Sequence, residues 1–316
     1  MKKWLLALLA ALSALSAAAF DLQGHRGARG LLPENTLPAF ERALRIGVST
    51  LEMDAAVTAD GVVVVSHDPV LNPDLVRGED GQWLAAAVVI RTQTLEQLQR
   101  YDVGRIRPGS AYARSFPQQE PVDGTRMPTL AAVFDLVKRL RADHVQLAIE
   151  AKADLRNPAH TLPPDAFADA VLKVVREAGM EDRVMIQSFD WRTLQAVRKA
   201  APRVRTVYLT TQSAQFSNLE SPEWTAGFTL AEHGSVPAMV RAAGGHVWAP
   251  NFAALTADAV QQAQALGLKV VPWTVNEPGD IAKTMDLGVD GIISDYPDRV
   301  RGEMGRRGMA LPAKVE

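Results

Sequence analysis

The sequence contains no cysteine. That excludes a disulfide scaffold and an anchor attached through a lipidated cysteine. A strong charge bias is missing too. Lys and Arg number 34 against 36 Asp and Glu, a formal charge of −2. Such a balance leaves no electrostatic footprint for nucleic acid or an anionic membrane, so the expected partner is a small molecule. No internal repeat of 20–50 residues and no long low-complexity tract is present. The one long apolar run, Trp4 to Ala19, is 16 residues and is broken by Ser13 and Ser16. It falls short of the roughly 20 residues that span a bilayer.

What that run does resemble is a secretion signal. Met1-Lys2-Lys3 precedes it, and Ala17-Ala18-Ala19 closes it with the small residues of a cleavage site. Residues 1–19 are therefore expected to be a signal peptide, with the mature chain secreted, most simply to a periplasm, and left with no stable membrane anchor. Loss of Lys2 and Lys3 takes the formal charge to −4. At 47% hydrophobic and 22% charged residues, the remainder has the composition of a soluble globular protein. Its length suits one large α/β barrel or two ordinary domains.

Strand-like apolar runs alternate with helical spacing through most of the chain. Strands are expected at about 21–25, 49–54, 144–151, 183–187, 204–209, 246–249, 269–274 and 290–294. Thr129, Asp190 and Thr256 each stand as a helix cap before a periodic apolar face. Further helices fit 36–46, 165–178, 235–243, 278–287 and 296–303. Eight strands, each followed by a helix, point to a (β/α)8 barrel of the TIM type. Residues 20–304 are expected to form this single catalytic domain, with an insertion after the second strand at about 68–128 and a flexible tail over 305–316. The connection 210–234 is also long. Both long stretches fall at the C-terminal ends of the strands, the side on which such barrels carry their active sites.

Charged residues gather at those strand ends. His25-Arg26 ends the first strand, Glu52 and Asp54 the second, Glu150 and Lys152 the third. Residues two apart on a strand share a face. Each pair alone reads as a rim salt bridge; three consecutive strands together read as a site. Asp60-Gly61 between two β-rich runs is a two-residue hairpin signal. With that turn, Ala59 pairs with Val62, and Asp54 lies opposite His67. A second histidine is thereby expected at the mouth.

Three carboxylates without cysteine suit a hard divalent cation, Ca²⁺ or Mg²⁺, better than zinc. With the cation they carry one net negative charge; Arg26 and Lys152 turn that to one positive, which complements a phosphodiester monoanion. Two histidines can divide the proton work, one activating the nucleophile and the other protonating the leaving alcohol. The chemistry is cleavage of a P–O bond.

The ordered motifs GHRG…PENTLPAF, LEMD, TADGVVVVSHDP, IEAK, PWTVN and GVDGIISDYPD resemble those of the glycerophosphodiester phosphodiesterases and cover residues 24 to about 298. The resemblance implies a barrel enzyme that hydrolyses esters such as glycerophosphocholine or glycerophosphoethanolamine to an alcohol and sn-glycerol 3-phosphate. It implies His25 as general base, His67 as general acid, Glu52, Asp54 and Glu150 as metal ligands, and Arg26 and Lys152 as phosphate-binding residues. It favours Ca²⁺ over Mg²⁺, and implies attack by the glycerol 2-hydroxyl through a cyclic phosphate. Trp273, inside one of the motifs, is expected to form an apolar wall for the substrate. Two other functions remain open at this point: a lysophospholipid or phospholipid phosphodiesterase on the same barrel, and a non-catalytic periplasmic or surface binding protein.

Other polar residues read as structural. Glu34-Asn35-Thr36 serves the start of the first helix, with a second reading of Glu34 as a buttress for His25 or Arg26; Gln187, Asn251 and Asp295 end strands as architecture. Gly24 and Gly27 are expected to leave room for the substrate. His144 and His246 begin strands, on the opposite face; His160 and His233 lie in loops, and Arg105, Arg107 and Arg114 belong to a solvated loop.

Overall fold

The computed structural model describes residues 19–213 and 215–316. All of the expected leader except Ala19 lies outside the described residues. The first barrel unit is β1 (Asp21–Gly24) followed by α1 (Leu37–Ile46), and the second strand is β2 (Thr50–Val57). An insertion then carries β3 (Val63–Val65), β4 (Val70–Leu71), β5 (Val88–Val89), α2 (Leu95–Leu98) and α3 (Ala111–Ser115) before α4 (Leu130–Arg139) resumes the barrel. The remaining units run β6 (Gln146–Ala151), α5 (Pro164–Glu177), β7 (Val184–Ser188), α6 (Trp191–Ala200) and β8 (Arg205–Thr210). After α7 (Leu230–His233) and α8 (Val236–Ala242) come β9 (Val247–Pro250), α9 (Ala257–Ala265), β10 (Lys269–Val270), α10 (Pro278–Asp286), β11 (Gly291–Ser294) and α11 (Pro297–Arg306).

Eight parallel strands follow the order β10-β9-β8-β7-β6-β2-β1-β11. Two amide bonds of 3.0 Å, Ile293 to the Pro272 carbonyl and Val275 to the Ile293 carbonyl, draw the ends of that sheet together. The fold is a (β/α)8 barrel. The expected strand over 269–274 enters the regular ladder only at Lys269–Val270, because Pro272 has no N–H to give. Its neighbours still bond across, Val271 to the Trp248 carbonyl and Trp273 to the Pro250 carbonyl.

Local chemistry sets the helix starts. Thr36, Thr129, Asp190 and Thr256 each accept a backbone amide from the first turn of the helix they precede. The burial of α1 through Ala39, Phe40, Ala43 and Leu44 repeats at helical spacing. Inside the barrel, Ala148, Met185, Val207, Leu209, Val247, Ala249, Val271 and Ile293 pack together below Phe189 and Trp273. The insertion packs a second small core, Val64, Leu71, Val76, Ile90, Leu98 and Met127, onto Ala56 of β2.

Two expectations change. The tail is not loose: Val315 is buried and donates its amide to the Leu44 carbonyl at 3.1 Å, while Arg301 donates to the Pro312 carbonyl at 2.8 Å. An apolar side chain near the terminus and open carbonyls supply what fastens it. The hairpin is one residue out of the expected register, pairing Ala55 with Val65, Ala56 with Val64 and Val57 with Val63. Its loop has three residues, not two. Thr58 bonds both Asp60 and the Val62 amide, and Gly61 takes φ +79° to close the turn.

Candidate active site

The C-terminal ends of the strands enclose a cavity of about 240 Å³. His25, Arg26, Glu52, His67, Glu150, Lys152 and Trp273 all line it. Asp54, fully buried, lies against Arg26, with Arg26 Nε 3.2 Å from its Oδ2. Every residue expected from the sequence is therefore brought together, and His144, His160, His233 and His246 are absent from the lining.

The acidic group is compact. Ligand atoms of Glu52, Asp54 and Glu150 lie within 4.8 Å of one another. Parallel pairing of β2 with β6 sets Asp54 beside Glu150, and Glu52 points to the same face as Asp54. Glu52 accepts the Arg26 amide at 2.8 Å and the Gln187 side-chain amide at 2.7 Å. Asp54 Oδ2 accepts from Asn35 at 2.9 Å, whereas Oδ1 is buried without a hydrogen-bond partner. Lys152 Nζ reaches Glu150 at 2.9 Å. Burial, and then the Asp54 charge, holds the Glu52 carboxyl well above the usual carboxylate range. Burial pushes Glu150 up to about 7, against the pull of Lys152. Asp54 goes the other way: burial would raise it, but Arg26, His67 and Lys152 hold it below the ordinary range. A crowded all-oxygen set with an unpartnered buried carboxylate oxygen fits a hard divalent cation.

The histidines stand on different supports. His25 follows β1, and its Nδ1 lies 2.5 Å from Asp295 Oδ1. His67 lies beyond β3, with Nδ1 2.8 Å from Asp68 Oδ1. It reaches the cavity through its loop; the residue opposite Asp54 is Ser66, whose amide donates to the Asp54 carbonyl at 2.9 Å. Burial drives the His25 imidazole down to about 4, against Asp295, and burial with Arg26 and Lys152 lowers His67.

Several contributors are read from the sequence mainly as structural, or not at all. Glu34 does more than shape a capping loop: it accepts from Arg26 Nη1 at 2.7 Å and from the Tyr112 hydroxyl. It thereby takes back part of the positive charge counted for Arg26. Arg29 lines the cavity and holds Asp295 through Nε at 2.8 Å and Nη2 at 2.9 Å, its guanidinium 4.6 Å from the Phe116 ring centroid. Asp295 follows the end of β11 as His25 follows β1, so strand-end placement was its available signal. Tyr112 and Phe116 sit in the insertion, where no periodicity points to them. The glycines serve packing in place of substrate access. A Cβ on Gly24 would sit 2.3 Å from the Gly27 carbonyl oxygen, and one on Gly27 2.6 Å from Ala39 in α1.

Residues 25–299 match the model of the glycerophosphoryl diester phosphodiesterase family. The chain belongs to that family. It is an enzyme of the phosphoric diester hydrolase class. The glycerophosphodiester phosphodiesterase of Caldanaerobacter subterraneus subsp. tengcongensis is 30% identical over 87% of this chain and 93% of its own. That of Bacillus altitudinis is 29% identical over 89% and 97%. Among solved structures, a glycerophosphoryl diester phosphodiesterase homologue from Silicibacter pomeroyi superposes with TM-score 0.83 at 36% identity, covering 93% of this chain and 96% of that one. A phosphodiesterase from Oleispira antarctica, solved with the product sn-glycerol-3-phosphate, shares the fold at TM-score 0.65 and 20% identity, over 90% and 96%. Within the family, the cavity described above is the candidate active site.

Proposed function

We propose that the chain hydrolyses small glycerophosphodiesters to an alcohol and sn-glycerol 3-phosphate, with His25 as general base and His67 as general acid. The observation that carries the reading is the one cavity lined by two histidines, three cationic side chains (Arg26, Arg29 and Lys152) and Glu52 and Glu150, with Asp54 clustered beside those two carboxylates. Glu52, Asp54 and Glu150 would hold one divalent cation, Ca²⁺ ahead of Mg²⁺. When bound, that cation supplies Lewis-acid stabilisation of negative charge on the phosphoryl oxygens. Arg26 and Lys152 hold the anionic phosphoryl group, and Trp273 with Phe189, their rings 5.4 Å apart, forms the apolar wall.

The protonation states follow from the surroundings. A buried neutral His25 is a base ready to accept a proton from the nucleophile. Burial first, and then Arg26 and Lys152, lowers His67; a phosphodiester anion that neutralises those two cations relieves the second part and favours its protonated, acidic form. Residues 1–19 support a secreted, periplasmic enzyme.

The experiment is incubation of the mature protein with glycerophosphocholine, glycerophosphoethanolamine and lysophosphatidylcholine, each with Ca²⁺, Mg²⁺ or chelator, assaying the freed choline or ethanolamine together with the phosphomonoester, glycerol 3-phosphate from the soluble diesters and lysophosphatidate from the lysolipid. Cation-dependent release from the soluble diesters is expected. No release from any soluble diester refutes the reading, and preferential turnover of the lysolipid moves the substrate class.

A further inference from the structure

Asp295 has no part in the scheme above, yet both its carboxylate oxygens are fully engaged. Oδ1 lies 2.5 Å from His25 Nδ1 and 2.8 Å from Arg29 Nε; Oδ2 lies 2.9 Å from Arg29 Nη2 and 2.7 Å from Asn276 Nδ2. The backbone is fastened as well, with the Asp295 amide donating to Asn276 Oδ1 at 2.9 Å and the His25 amide to the Ser294 carbonyl at 2.9 Å. Gly24 pairs with Ser294 where β1 meets β11, so the next residue on each strand, His25 and Asp295, stand side by side.

We propose that Asp295 is the positioning residue for His25, fixing its ring proton on Nδ1 and presenting Nε2 to the cavity as the base. The inference rests on the proposed hydrolysis. An ionised carboxylate only accepts hydrogen bonds, so a ring nitrogen 2.5 Å from it must carry the proton. Arg29 and Asn276 donate to the same carboxylate and favour its ionised form. The other ring nitrogen makes no hydrogen bond among the described residues; its nearest ionic neighbour is Glu52 Oε2 at 3.8 Å. Its lone pair is free for a proton from the cavity.

The proton balance follows. The nucleophile's O–H bond breaks and an Nε2–H bond forms, leaving an imidazolium beside a carboxylate that stays ionised. Asp295 takes no proton, since Arg29 grips it from the other side. A strut role, tying the last barrel strand to the turn after the first, needs only the Arg29 pair. It does not need the imidazole at the same oxygen.

The test begins on the intact Ca²⁺-loaded protein, labelled with ¹⁵N-histidine and read by long-range ¹H–¹⁵N correlations at neutral pH. His25→Gln identifies the signal. A pyrrole-type Nδ1 with a strongly downfield proton and a pyridine-type Nε2 are expected. In Asp295→Asn, whose amide can offer a donor to Nδ1, the proton moves to Nε2 in part or in full. For the folded variant kcat falls about 10²–10⁴-fold with KM little changed, as expected when the wrong tautomer is held. A wild-type ring protonated on Nε2 overturns the proposal, as does a folded Asp295→Asn with wild-type kcat. Should that variant not fold, the wild-type spectrum decides alone. Failure of the functional reading is separate: the wild type then releases no glycerol 3-phosphate, whatever the tautomer.

Discussion

Arg26 and Glu34 form a buried pair, Nη1 to Oε1 at 2.7 Å, eight residues apart in one turn. Asp54 lies on the other side of the same guanidinium, at 3.2 Å from Nε. Arg26 is thus aimed into the cavity by two carboxylates from two different elements. Glu34→Ala removes one of them and leaves Arg26 and Arg29 under-compensated. The expected loss of stability is about 3 kcal/mol, the lower end for breaking a buried pair, because Asp54 stays. Urea unfolding of wild type and variant at neutral pH measures it; an unchanged midpoint contradicts the role given to Glu34.

His25→Ala and His67→Ala are each expected to lower turnover roughly 10²–10⁴-fold, the range for a lost general acid or base. Asp68→Asn, which weakens only the 2.8 Å partner of His67, should cost less than His67→Ala. Steady-state rates on glycerophosphocholine rank the three. A wild-type rate in either alanine variant removes that histidine from its assigned role.

Cation binding should stabilise the fold through the three carboxylates. At a hundredfold excess over the dissociation constant the gain is about 2.7 kcal/mol. Thermal melts with chelator and with added Ca²⁺ show it as a rise in Tm. Glu150→Gln should shrink that rise, since it removes one of the three clustered ligands. A Tm indifferent to Ca²⁺ and Mg²⁺ speaks against the cation site.

Gly27 adopts φ +85°, and an added Cβ there would meet the backbone of α1. Gly27→Ala combines left-handed strain of about 1–2 kcal/mol with overpacking of about 1–3 kcal/mol. Both stability and turnover should fall, because the same turn carries His25 and Arg26. Chemical denaturation with a parallel activity assay checks this, and a fully stable variant counts against the packing account.

Acid should weaken the fold through Asp295. Burial would raise its pKa, but His25 and Arg29 hold the carboxyl below the ordinary range. A depressed folded value means its contribution is present above the unfolded pKa of about 3.9 and is lost as pH falls below that. In a His25→Gln background, which removes the imidazole's own titration, the urea midpoint should therefore drop more steeply with Asp295 than with Asp295→Asn between about pH 5 and pH 3. Parallel curves would assign the acid loss to other groups.

The barrel was legible because each unit carries two local signals, a short apolar run and a capped amphipathic helix. Thr129 and Thr256 announce their helices before any tertiary contact exists. Most of the site residues were legible for the same reason: they lie within or just past β1, β2 and β6, on the side where those strands open at one rim. What escaped depends on long-range contact. Asp295 gains its meaning only where β11 meets β1, 270 residues from its histidine. Tyr112 meets Glu34 across 78 residues of chain, from an insertion whose core is irregular in sequence. The hairpin register failed by one residue because side-chain bonds of Thr58 compete with the tight turn that Asp60-Gly61 would otherwise form.

That register has a consequence for how this enzyme class can diversify. Ser66 ends the pairing with Asp54, so His67 belongs to the inserted segment, while His25, the carboxylates and Lys152 belong to the closed barrel. The proposed general acid is therefore carried by the inserted segment, whose small core rests on Ala56 of β2. Exchange of the insertion is expected to alter which alcohol is accepted and also to disturb Arg26 and Arg29, because Tyr112 and Phe116 of the same segment touch Glu34 and Arg29.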